Sequence, residues 1–274
     1  MRRASSIGVA EPGRLLDLMT ETEAGMHLAI VTGASRGLGL AVAEQLLDRK
    51  CHVLALSRRP SANLETYAAQ RGAKLEQWAV NVSATDVASR LEAWLRRLST
   101  DAFERAVLIN NAAIVGRVGP VDRSDAASLA EVLRVNLEAP AVLCAAFLRA
   151  TRSWRTERRI VNVSSGVART AVAGWAAYCA AKAGLDHLSR VMALDEQRLP
   201  NPARIVSLAP GLIDTDMQAD VRGSDASEFP DIARFKEYKA TGQLVAPKDA
   251  AVRLLAFLDR SDFGARSVAD VRTD

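Results

Sequence analysis

Residues 27–47, HLAIVTGASRGLGLAVAEQLL, decide the fold. His27–Thr32 is an apolar run that reads as a buried strand. Leu38–Arg49 repeats apolar residues at Leu38, Val42, Leu46 and Leu47, the spacing of one helix face. Between them lies Thr32-Gly33-Ala34-Ser35-Arg36-Gly37-Leu38-Gly39. Glycine allows a tight turn and lets the backbone approach a pyrophosphate. The helix that follows offers unpaired N–H groups and the positive end of its dipole. Three glycines alone are a weak signal; between a strand and a helix in the first βα unit they read as a phosphate loop.

Working outward, the pattern repeats. Strands are predicted at His52–Ser57, Leu75–Val80, Ala106–Asn110, Arg159–Val163, Ala203–Ala209 and Ser267–Val271. Helices are predicted at Leu64–Arg71, Thr85–Leu98, Ala126–Thr151, Trp175–Arg198 and Pro247–Leu258. This alternation implies right-handed βαβ crossovers and a parallel sheet covered on both faces. The expected fold is α/β: a single doubly wound Rossmann domain over residues 26–274. Its crevice should lie beyond the C-terminal ends of the strands. Residues 216–246 read as an irregular segment able to act as a lid that excludes water.

Composition narrows the function. Of 274 residues, 49% are hydrophobic and 25% charged, an ordinary globular balance. The net charge of +4 is scattered, with no basic stripe interleaved with aromatics, so no nucleic-acid partner is expected. A modest positive field suits an anionic cofactor. Cys51, Cys144 and Cys179 are odd in number and widely spaced, with no CxxC, so neither a disulfide framework nor a metal site is expected. Reduced thiols in a cytoplasm are the simple reading. No apolar run approaches the ~20 residues needed to cross a membrane. Residues 1–25 carry Arg2, Arg3 and Arg14 but no apolar h-region, so they do not read as a secretory signal. They are either a flexible tail or follow an upstream start codon, with Met26 the true start.

The second strand ends at Leu56-Ser57-Arg58-Arg59. NAD enzymes place an acid near this point for the ribose 2′-hydroxyl. Here two arginines stand instead, and Arg36 lies in the loop. A guanidinium matches a phosphate through two parallel hydrogen bonds, which predicts NADP(H). The alternative is that Arg58 and Arg59 are merely solvated.

Ser164 and Ser165 follow the fifth strand, at its C-terminal end. Tyr178 and Lys182 are four apart on the next helix and share a face. A tyrosine with a pKa of ~10 is a poor acid–base catalyst near neutrality. A neighbouring ammonium favours the phenolate and lowers that pKa. Asn136 lies within the long helix after the fourth strand, where its side-chain amide could bend the helix and hold a water. Each residue alone is ordinary; their joint placement at the ends of predicted elements is what counts.

These residues resemble the short-chain dehydrogenase/reductase family over nearly all of residues 26–274. The matching pieces are TGASRGLG (32–39), NNAA (110–113), Asn136, Ser165, YCAAK (178–182) and PGLIDT (210–215). Ser165 stands 13 residues before Tyr178, which fits the family and selects it over Ser164. The resemblance implies a seven-stranded sheet of order 3-2-1-4-5-6-7 and a mechanism. Hydride passes from the nicotinamide to a carbonyl carbon and Tyr178 protonates the oxygen, which Ser165 orients. Lys182 holds the nicotinamide ribose, and Asn136 supports a water-linked proton relay. The cofactor would be lined by Gly33, Ser35, Arg36, Gly37, Leu38, Gly39, Ser57, Arg58, Arg59, Asn81, Val82, Asn110, Ala112, Tyr178, Lys182, Pro210 and Gly211. Ile213, through its backbone, and Thr215 would take the carboxamide. Two departures stand out: Ala113 where glycine is usual, and Asn81 where aspartate is usual.

Arg58-Arg59, Trp175 and APGLIDTDMQADVR (209–222) look most like the branch of sepiapterin and benzil reductases. That implies an NADPH-dependent carbonyl reductase acting on a vicinal diketone or a pterin side chain, with Val115, Trp175 and Met217 near the substrate. The aromatics of the lid could instead only pack it down. The rivals are an alcohol dehydrogenase or ketoacyl reductase of the same family, and a non-catalytic NADP-binding sensor. Pairing through the two long helices into a homodimer or homotetramer is implied as well.

Overall fold

Strand β1 (Met26–Thr32) sits inside a sheet whose order is β3-β2-β1-β4-β5-β6-β7, with every pair parallel. The other strands are β2 (His52–Ser57), β3 (Leu75–Ala79), β4 (Phe103–Asn110), β5 (Glu157–Val163), β6 (Arg204–Ala209) and β7 (Val268–Asp270). The structure is a computed structural model and describes residues 26–100 and 102–274. The expectation for residues 1–25 lies outside the described residues.

The central strands are apolar on both faces because helices cover both. On one face, Val31, Val53, Val107 and Val206 pack against α1 (Gly37–Asp48), α2 (Ala62–Arg71) and α9 (Pro247–Asp259). On the other, Ile30, Leu54, Leu108 and Ile160 pack against α3 (Val87–Leu95), α5 (Ala139–Ala150) and the long α6 (Ala176–Glu196). The predicted order and all seven strands are as observed, with no end moved by more than three residues. Helix α3 is shorter than Thr85–Leu98, since turns take up its flanks.

Two expectations need correction. The predicted helix over Ala126–Thr151 is α4 (Ala126–Leu133), a π-helical turn (Arg134–Glu138) and α5. Pro140 explains the break. It has no N–H to offer the carbonyl four residues back, which is that of Asn136, and Ala139 donates to Arg134, five residues back, instead. Residues 216–246 are not irregular: they hold α7 (Asp216–Arg222) and α8 (Ile232–Ala240). Ile232 and Phe235, three apart, give α8 a buried face on an aromatic cluster with Trp175 and Phe229.

Candidate active site

The loop after β1 is shaped by close packing. Gly33 (φ 69°) and Gly37 (φ 55°) take a left-handed backbone conformation. A Cβ on Gly39 would run into the Gly33 carbonyl and the Asn111 amide. Arg36 caps α1 without a side-chain hydrogen bond, leaving the helix N-terminus to its backbone groups. Arg36 pairs across the cleft with Asp216 (3.0 Å), the first residue of α7. Thr215 lies on the same side, its methyl 3.3 Å from where a Gly37 Cβ would stand.

Asn111 fastens this loop, and the sequence reading passed it over. Its Nδ2 donates to the carbonyls of Thr32 (2.9 Å) and Gly33 (3.3 Å). The N–H groups of Asn111 and Ala112 both donate to Thr32 Oγ1 at 2.9 Å. The signal was the second Asn of the Asn110-Asn111 pair. Asn110 was expected to line the cofactor, but its side chain turns into the core. Its Nδ2 donates to Asn162 Oδ1 (2.9 Å) and contacts Cys144 Sγ (3.3 Å). Ala113 is not among the residues with positive φ, so the missing glycine brings no strain.

At the end of β2, Ser57 is buried, and its hydroxyl donates to the Arg59 carbonyl (2.8 Å). Arg58 and Arg59 are exposed and make no ion pair among the described residues. Asn81 is exposed after β3. Its Oδ1 accepts from the N–H (3.2 Å) and hydroxyl (3.0 Å) of Ser83, which leaves its NH₂ outward; Val82 beside it is buried. After β6, Pro210 leads into Gly211 (φ 85°). Val245 donates to Leu212, and Asp214 donates to Val245, both at 2.9 Å. Neither bond uses the backbone groups of Ile213.

Tyr178 and Lys182 are buried on α6, facing Ser165 at the end of β5. Burial raises the Tyr178 phenol to about 12, and a hydrogen bond from the Ser165 side chain opposes that rise. Lys182 Nζ donates to the Val163 carbonyl (2.7 Å) and lies 5.8 Å from the centre of the Tyr178 ring. Burial pulls this ammonium down to about 8, against the attraction of Asp186. The expectation that Lys182 would lower the pKa of Tyr178 is therefore corrected. In the protein alone, loss of solvent around the phenolate sets the direction, and Lys182 is not among the groups that shift it.

Asn136 is fully buried in the π-helical turn. Its Oδ1 accepts from Ile114 N–H (2.9 Å), and its Nδ2 donates to the Ile114 carbonyl (2.6 Å). The amide anchors the chain after β4. Its main-chain carbonyl is the group deprived of a helical donor by Pro140.

Val115, Trp175 and Tyr178 line one cavity with Gly119, Leu129 and Val132; Met217, half-buried on α7, is not part of its lining. Trp175 stacks on Phe229 (5.4 Å between centroids) and meets Phe235 (5.1 Å) and the edge of Tyr178 (5.5 Å). The aromatics Phe229 and Phe235 thus pack the 216–246 segment down onto Trp175. Glu228 adds ion pairs to Arg117 (2.6 Å) and Arg123 (3.0 Å). Among the described residues there is no cluster able to hold a metal, and no helix is long and apolar enough to cross a membrane.

Comparison with known proteins agrees with this arrangement. The family described as short chain dehydrogenase matches residues 27–226. The benzil reductase ((S)-benzoin forming) of Bacillus subtilis (strain 168) is 36% identical over 245 residues, 88% of this chain and 97% of that protein. The sepiapterin reductase of Mus musculus is 32% identical over 260 residues, 90% of this chain and 97% of that protein. Among solved structures, a short-chain dehydrogenase/reductase from Burkholderia vietnamiensis superposes with a TM-score of 0.60 at 35% identity, covering 90% of this chain and 99% of that one.

Proposed function

This chain belongs to the short-chain dehydrogenase family of oxidoreductases, in its benzil and sepiapterin reductase branch, and on that premise we propose that it is an NADPH-dependent carbonyl reductase. The observation that carries the reading is the grouping of buried Tyr178 and Lys182 with half-buried Ser165 beyond the C-terminal end of β5. Burial holds the phenol protonated throughout the neutral range, the form that a proton donor needs.

The residues present fit a dinucleotide. The cleft floor is glycine where a Cβ would collide, and the α1 N-terminus has no side-chain cap. Gly33, Ser35, Arg36, Gly37, Leu38 and Gly39 would hold the phosphates. Arg58 and Arg59, exposed and without an ion pair among the described residues, would take the 2′-phosphate. Ile213 and Thr215 would hold the carboxamide. When bound, the reduced nicotinamide supplies the hydride. Ser165 Oγ orients the carbonyl oxygen, Tyr178 Oη gives it a proton, and Lys182 Nζ holds the ribose and restores charge balance around the phenolate. The two named relatives favour a vicinal diketone or a pterin side chain as substrate, entering past Val115 and Trp175.

Assembly is proposed through the two long helical stretches. Leu133, Val142, Val191 and Leu194 lie there and are 40–60% exposed, a surface suited to a second copy. A sedimentation mass of one chain sinks this.

The main test follows oxidation of NADPH and NADH with benzil, sepiapterin and a simple monoketone. Turnover with NADPH is expected, with a lower KM than for NADH and a higher kcat/KM on the dicarbonyl compounds. A lower KM for NADH removes the cofactor assignment. Cofactor binding with no turnover of any carbonyl leaves the sensor reading in its place.

A further inference from the structure

Asp186 takes no part in the chemistry above, yet its carboxylate is only 3% exposed. It lies one turn after Lys182 on α6. Its Oδ1 accepts from the hydroxyls of Ser164 (2.5 Å), just after β5, and Ser207 (2.7 Å), within β6. Its Oδ2 faces Arg169 Nη1 at 3.3 Å. Arg169 is shared with Asp270 (3.4 Å), which is also paired with Arg272 (2.7 Å). The carboxylate is thus pinned to the sheet beneath the catalytic turn by two neutral donors and one half-exposed cation.

A buried carboxylate is costly unless opposite charge faces it. Lys182 has the matching need. It is buried, bonded to a neutral carbonyl, and has no carboxylate within 4 Å among the described residues. On its own helix the ionisable neighbours are Tyr178 and Asp186. From beyond β5 and β7 come Arg169, Asp270 and Arg272. The π-helical turn opposite presents buried Asn136, while its charged Arg134 and Glu138 are exposed.

We propose that Asp186 is a positioning residue, the fixed counter-charge that keeps Lys182 an ammonium, with Arg169 limiting its strength. This rests on the assignment of Lys182 to the reductase site. The device places a negative charge below the lysine, away from the substrate, where it cannot repel the incoming cofactor phosphates. It also explains why Ser164, beside the catalytic Ser165, is a hydroxyl residue: it orients the carboxylate.

Lys182 can be followed directly. The chain has six lysines, so ¹³Cε-lysine NMR resolves few signals, and Lys182→Arg assigns the relevant one. The wild-type midpoint is expected near 8. In Asp186→Asn it should fall by about one pH unit or more, and the alkaline limb of the reductase profile should move down with it. Arg169→Ala, at a half-exposed position, should shift the midpoint upward, and it carries the test if Asp186→Asn does not fold. Asp186→Glu should restore the wild-type midpoint. The proposal is overturned if Asp186→Asn loses activity equally at every pH with the midpoint unmoved, or if Arg169→Ala lowers the midpoint or leaves it unchanged. The NMR reads no turnover, so a wild-type protein that reduces no carbonyl removes the reductase reading alone.

Discussion

At the scale of single residues, the site sets burial against charge. Tyr178 keeps its proton because phenolate is poorly solvated there, and Lys182 binds its proton weakly for the same reason. In the proposed reaction the pair becomes a working acid–base couple once a proton has somewhere to go, which is the substrate oxygen. Tyr178→Phe removes the Oη alone and keeps the ring against Trp175. We expect kcat for carbonyl reduction to fall ~10²–10⁴-fold, the span of a lost general acid. Cofactor binding and the thermal midpoint should barely change. Steady-state rates beside a cofactor titration check this, and near-normal turnover would strip Tyr178 of its role.

Elements, not residues, place Asn136. Pro140 breaks the helical ladder, the π-helical turn follows, and the Asn136 amide clasps both backbone groups of Ile114. Asn136→Ala leaves those two groups without partners, at a cost of about 1–3 kcal/mol. Thermal unfolding should show the loss, and KM for the carbonyl should rise, since Val115, the residue after Ile114, lines the cavity. An unchanged melting curve would mean that the clasp contributes nothing. Pro140 and the i, i+3 pair of Ile232 and Phe235 were both visible in the sequence. Their effects were not, because a proline in a strongly helical pattern can end, kink or bulge a helix, and only the Ile114 backbone favours the bulge.

For the molecule as a whole, pH dependence is the broadest check. Burial raises Cys51 to about 11, Cys144 to about 12 and Tyr178 to about 12, from ordinary values of 9.0, 9.0 and 10.0. The folded state holds these protons longer than the unfolded chain. Their contribution to stability is complete below about pH 9 and is lost as pH rises toward 11–12. Lys182 runs the other way: lowered to about 8 from 10.5, it adds stability as pH climbs between those values. Three groups oppose one, so the melting temperature should fall above pH 9–10, and Cys51→Ala with Cys144→Ala should lessen the fall. A melting temperature flat to pH 11 would contradict this.

Fold class, the glycine-rich loop between strand and helix and the Ser-Tyr-Lys spacing were legible in the sequence, since each is written in residues near one another along the chain, whereas the strand order came from the family resemblance. Hydrophobic period marks strand or helix within ten residues, and a helix puts Tyr178 and Lys182 on one face wherever that helix lies. The fastening of the loop by Asn111, the inward turn of Asn110 and the Asp186 carboxylate behind Lys182 came only with the tertiary structure. The direction of the Tyr178 shift belongs with them. Each of these depends on which distant segments remove water or supply a partner, and burial is a sum over neighbours that the chain brings together only by folding.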